Sequence, residues 1–299
     1  MFKKLLKYDM TSVWRLWWIA ATIIPIASVV GALLLRFIIS TAMKNFSLDY
    51  VVEEESTDFI ASLLIIVAVF AVFACIMAIA LSFVLTMVLV YVRFYKNLFT
   101  DEGYLTFTLP VSRKQILLSK TVNAFIWYCL HGLLIVGAVL IFLLLAPPAE
   151  EGGFIINTVA FKWIGDIFGE IWGYIGAWTL PIAAGAVVFL LITTLQGIAL
   201  LHLSITIGSV IAKKAKIVAA IGIYYAFNTA SSMIWQLIFS CFTYGILPGI
   251  TVIMPEPTGS EIGALISLCL AAVIAVSGVI TVVLYNLTQH MLDRKLNLA

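Results

Sequence analysis

Charged residues divide the 299-residue chain into six long runs without any Asp, Glu, Lys or Arg: 16–35, 59–92, 121–149, 171–212, 217–255 and 262–292. Each run can hold the roughly 20 apolar residues needed to cross a hydrocarbon core about 30 Å thick. In that medium the backbone must satisfy its own polar groups, which a helix does. Composition agrees, since 63% of residues are apolar and 11% charged, against about 45–50% and 25% in soluble domains. The expected fold is an all-α integral membrane protein with one transmembrane domain over 1–299. Its six spans fall near 16–39, 59–95, 115–146, 176–211, 217–247 and 262–287, with Lys213, Lys214 and Lys216 separating the fourth from the fifth.

Basic residues in short loops stay cytoplasmic. Placing the N-terminus inside puts Lys3, Lys4, Lys7, Arg15, Arg93, Lys96, Arg113, Lys114, Lys120, Lys213, Lys214, Lys216, Arg294 and Lys295 on that side, leaving only Arg36, Lys44 and Lys162 outside. Acidic residues show the reverse, with Asp49, Glu53, Glu54, Glu55, Asp58, Glu150, Glu151, Asp166, Glu170, Glu256 and Glu261 external. Both termini are therefore expected in the cytoplasm. The basic start is followed by an apolar stretch reaching Ile39, too long for the h-region of a cleavable signal. Phe2, Leu5, Leu6 and Val13 alternate with Lys3, Lys4, Lys7 and Asp9 ahead of Trp14, Trp17 and Trp18. That pattern predicts an interfacial elbow helix leading into the first span, and Pro25 is a candidate kink within the span.

Outside the spans, Pro147–Gly153 reads as a turn. Phe161, Ile164, Phe168, Ile171, Trp172 and Ile175 recur at helical spacing with Lys162, Asp166 and Glu170 between them. The stretch 157–175 is expected as an amphipathic helix on the outer surface. Cys75, Cys129, Cys241 and Cys269 lie in apolar runs without paired spacing, and His131, His202 and His290 are isolated, so no metal site is expected. No nucleophile elbow and no Walker A motif occur. No catalytic residue is assigned, and any ATP that drives the chain must bind elsewhere.

Within the spans, Asn228, Ser231 and Ser232 fall at i, i+3 and i+4, with Trp235 and Gln236 beyond them. Asn228, Ser232, Gln236 and, on another span, Gln196 are candidates for a substrate pathway. Interhelical hydrogen bonding is the commoner use of such residues. No run carries an ionisable group in its interior apart from histidine, which disfavours an ion-coupled secondary carrier.

The link between spans two and three is the least ordinary segment. Asp101 and Glu102 suit the positive N-terminal end of a helix, Pro110 ends it, and Ser112 with Gln115 forms a capping box for the next span. A helix of about two turns is predicted, with Tyr104, Phe107 and Thr108 on one side and Leu105 with Leu109 on the adjoining one. From composition alone the segment is equally a docking point for a cytoplasmic partner and an interfacial loop resting its aromatics on the membrane.

The string Asn97-Leu-Phe-Thr-Asp-Glu-Gly-Tyr-Leu-Thr-Phe-Thr-Leu-Pro-Val-Ser-Arg113 resembles the cytoplasmic loop of bacterial ABC-2-type permeases, the membrane subunits of ABC exporters. Six spans, cytoplasmic termini and an elbow resemble that family's type V exporter arrangement. The resemblance implies a bacterial plasma-membrane permease exporting a hydrophobic or amphipathic substrate such as a peptide, lipid or drug. It implies two partners, a second permease subunit and a cytoplasmic ATP-binding subunit that holds ATP and magnesium. It makes Asp101, Glu102, Gly103, Tyr104, Leu105, Phe107, Leu109, Pro110 and Arg113 a coupling helix and its flank, with Tyr104 and Phe107 as anchors and Glu102 and Arg113 as polar contacts. The chain itself is then not an enzyme, and no nucleic acid is expected as a partner. It departs from the family in its short 249–261 link, where external re-entrant helices usually sit. The alternatives are a membrane scaffold or sensor that binds a cytosolic protein through the same loop, and a secondary carrier.

Overall fold

The computed structural model describes residues 2–48, 55–108, 110–145, 158–212, 214–246 and 257–294, and these are helical apart from short connections. In order they form α1 (Phe2–Leu48), α2 (Glu55–Phe99), α3 (Asp101–Thr108), α4 (Arg113–Leu145), α5 (Thr158–Ile175), a 3₁₀ turn (Gly176–Trp178), α6 (Thr179–Ile211), α7 (Lys216–Cys241), a π turn (Phe242–Ile246) and α8 (Gly259–Arg294). Six segments are long and apolar enough to cross a bilayer: Phe2–Ser40, Ser62–Phe99, Arg113–Leu145, Phe161–Ile211, Lys216–Gly245 and Gly259–Asp293. By length and composition they mark a multi-pass membrane protein. Large side chains such as Phe70 and Phe73 of α2 point outward, as they do where lipid is the solvent.

Several helices outrun the apolar runs that announced them. At 1.5 Å per residue, the 47 residues of α1 reach about 70 Å, well beyond a hydrocarbon core. The predicted elbow is not a separate element, because α1 continues unbroken from Phe2 through Pro25. Its Lys and Leu residues are good helix formers, and no Gly or Pro interrupts them before Pro25. The predicted amphipathic helix exists as α5, separated from α6 by Gly176, whose φ of 60° places it in the left-handed region that glycine tolerates. Leu109 and the Pro147–Gly153 turn lie outside the described residues.

The chain divides into two compact units, residues 1–10, 91–125 and 169–299 forming the first and 11–90 with 126–168 the second. In the first, α6 packs against both α7 and α8. Its buried side chains include Phe94, Leu98, Ile116, Leu117, Ile198, Leu203 and Leu292. Thr258 and Glu261 start α8 with a reciprocal capping box, Thr258 N donating to Glu261 Oε2 at 2.8 Å and Glu261 N to Thr258 Oγ1 at 3.4 Å.

In the second unit, small residues bring helices close, as is usual where lipid supplies no hydrophobic drive. Ala20, Ala21, Ala27 and Ser28 are buried along α1, and Ser28 Oγ donates to Ala138 O at 2.5 Å. The Trp17 and Trp127 rings pack 4.9 Å apart at a tilt of 48°, with Trp14 and Trp18 at the margin. Thr86 Oγ1 lies 3.0 Å from His131 Nδ1 and also donates to Ser82 O at 3.1 Å. An apolar crevice of about 250 Å³ lies among Ala27, Gly31, Cys75, Ile79, Ala138 and Phe142.

Candidate functional site

An isolated helix of eight residues is too short to hold itself together in water, so α3 depends on what fixes it. Its acidic first turn, Asp101 and Glu102, complements the positive helix end. Gly103 is buried, and its N–H donates to Thr100 O at 2.7 Å. A Cβ on Gly103 would stand 2.7 Å from Leu98 O, so only glycine lets α3 fold back this tightly on the end of α2. Thr100, just ahead of α3, donates its hydroxyl backward to Lys96 O at 2.5 Å. Ser112 does start α4, its Oγ accepting from Gln115 N at 3.4 Å and its carbonyl from Ile116 N at 3.1 Å.

The far end of α3 is held by Arg113. Its Cζ lies 5.4 Å from the centre of the Phe107 ring, within cation–π range. Its Nη1 donates to Leu292 O at 2.5 Å and Asp293 O at 3.0 Å, where a cation satisfies the last carbonyls of α8. Phe107 and Arg113 thus serve the chain's own packing, and the exposed apolar pair on α3 is Tyr104 with Leu105, 66% and 68% accessible. Asp101, Glu102 and Pro110 are also exposed.

Behind α3 lies a buried polar cluster that the sequence pattern did not single out. Asp9 and Lys120 form an ion pair with side chains 1% and 4% accessible. Ser119 Oγ donates to Asp9 Oδ2 at 3.1 Å. The Asn97 amide, oriented so that oxygen meets the ammonium, accepts from Lys120 Nζ at 2.6 Å and donates from nitrogen to Glu102 Oε2 at 2.9 Å. The opposite orientation would set its oxygen against the Glu102 carboxylate. Arg93 is within electrostatic reach of Lys120. Beside the cluster, buried His202 stacks on Phe94 with centroids 3.9 Å apart, and its Nδ1 is 3.5 Å from Thr121 Oγ1.

A signal for this cluster was present in the sequence. Asp9 occupies the apolar register Phe2, Leu5, Leu6, Asp9, Val13 of α1, and Lys120 the buried register Ile116, Leu117, Lys120, Ala124, Trp127 of α4. A charge on an apolar stripe calls for a partner.

The proposed pathway residues do not converge. Asn228, Ser232 and Gln236 lie along one face of α7 and are exposed, whereas Gln196 is half-buried on α6. Ser232 Oγ donates within its own helix to Thr229 O at 2.8 Å, and none of the four lines the apolar crevice. Comparisons with family models, curated proteins and solved structures return no match for this chain.

Proposed function

We propose that this chain is the membrane-spanning permease subunit of an ABC exporter in a bacterial plasma membrane, with both termini cytoplasmic. In this reading ATP hydrolysis on separate magnesium-dependent subunits drives a hydrophobic or amphipathic substrate across. The observation that carries the reading is α3: a short helix, tied at both ends to long helices, presenting Tyr104 and Leu105 outward. Exposed apolar residues on a firmly held element suit a docking surface, because an aromatic anchor whose backbone is already ordered loses little entropy on binding. A push on α3 reaches α2 and α4 directly, and both are long enough to carry it through the bilayer.

A second observation supports a permease pair. Exposed Asn228, Ser232 and Gln236 repeat at i, i+4 and i+8 within an apolar span. Amides facing hydrocarbon are costly, so that face suits another protein chain or a polar pathway. The test is Tyr104→Ala with Leu105→Ala in the reconstituted complex. Substrate-stimulated ATP turnover should fall at least tenfold while basal turnover of the ATP-binding subunit persists. Unchanged stimulation would remove α3 from the coupling path, and gradient-driven flux without ATP would favour a secondary carrier.

A further inference from the structure

The polar cluster behind α3 begins on the other side of the sequence, in the first turns of α1. Asp9 stands there among exposed Lys3, Lys4 and Lys7, yet is itself buried against Lys120. A buried ion pair is a poor source of stability, because apolar residues of similar volume commonly do as well or better, but its directional bonds fix geometry. Here the bonds link α1 to α3 in sequence: Lys120 Nζ donates both to Asp9 and to the Asn97 oxygen, and the Asn97 nitrogen donates to Glu102 on α3. Ser119 occupies the second oxygen of Asp9 and so sets the angle of the carboxylate. Gly103 and the Phe107–Arg113 contact locate the two ends of α3. Glu102 adds a third tie on the surface of α3, the one that leads through Asn97 and Lys120 to a side chain of α1.

We propose that Asp9 is a positioning residue for α3, and that the N-terminal turns of α1 are part of the coupling device as well as of the membrane anchor. The relay through Lys120 and Asn97 sets the direction in which Tyr104 and Leu105 face, and carries displacement of α3 into α1 in addition to α2 and α4. The second half of the proposal rests on the permease reading; the first half does not.

Three variants of the full-length chain in lipid nanodiscs separate positioning from simple support. Asp9→Leu with Lys120→Met replaces the pair by apolar volume, Asp9→Lys with Lys120→Asp reverses it, and Glu102→Gln weakens the last bond without touching the buried pair. Hydrogen exchange over residues 101–108 should rise about tenfold in the apolar variant, the change that loss of one charge-assisted hydrogen bond produces, while its melting temperature is retained. Glu102→Gln should show an intermediate rise, and the reversed pair should recover part of the protection. Unchanged exchange in a stably folded apolar variant would overturn the positioning role. Because exchange is read without any partner, that result is independent of what binds α3. In the assembled complex, the apolar variant should lose substrate-stimulated ATP turnover; full stimulation alongside raised exchange would overturn the transmission into α1. Absence of stimulation in the unmodified complex would count against the permease reading alone.

Discussion

The surroundings of α3 in the first unit and the interior of the second unit are each held together by different physics. Around α3 the contacts are ionic and directional, from Asp9, Lys120, Asn97 and Glu102 to the Arg113 clamp on the carbonyls of Leu292 and Asp293. The second unit relies on Ala20, Ala21, Ala27 and Ser28 along α1, on packed tryptophans, and on the Ser28–Ala138 and Thr86–His131 bonds. Directional bonds specify one arrangement and resist displacement. Small-residue packing instead lets helix backbones approach closely and holds them by van der Waals contact. The difference teaches that the surroundings of α3 are specified by directional polar bonds, whereas the second unit is specified mainly by close packing of small and aromatic side chains.

The contrast can be broken most forcibly at the ion pair. Asp9→Ala or Lys120→Ala leaves a lone buried charge and should cost about 3–5 kcal/mol, read as a large fall in thermal midpoint in detergent. A loss no greater than that of a surface substitution would show the pair to be solvated. Next in size, Gly103→Ala forces a methyl group against Leu98 O. Overpacking of this kind costs about 1–3 kcal/mol, and the strain should appear as faster hydrogen exchange in 101–108 with the spans unaffected. In the second unit, Thr86→Val removes one interhelical bond and should cost only about 0.6 kcal/mol, within reach of a double-mutant cycle with His131→Phe. A value as large as that for Asp9→Ala would erase the distinction between the two regions. Smallest of all, Tyr104→Ala with Leu105→Ala removes exposed groups and should leave the unfolding free energy within about 0.5 kcal/mol of unchanged.

Much of this architecture was legible in the spacing of charges. Six uncharged runs correspond to the six membrane-length segments, and Asp101, Pro110 and Ser112 announced α3 and the start of α4 through chemistry that acts within a few residues. Helix ends were less legible, because charge marks where the hydrocarbon stops and says nothing about where helical hydrogen bonding stops. Hence α1 begins at Phe2 and absorbs the predicted elbow. At the site, Tyr104 and Leu105 could be placed on a helix, but the turn of Phe107 toward Arg113 depends on α8, 180 residues away along the chain. Asp9 and Lys120 meet across 111 residues. No local pattern encodes such a pairing, although a charge on each apolar stripe gave notice that one was needed.

The measurement that bears most directly on the account is ATP hydrolysis by the complex isolated from its native membrane on this chain. The unmodified chain should bring with it an ATP-binding subunit whose turnover responds to added substrate, and Tyr104→Ala with Leu105→Ala should cut that response at least tenfold. An isolated chain that carries no ATPase, or a complex whose ATP turnover is indifferent to that double substitution, would contradict it.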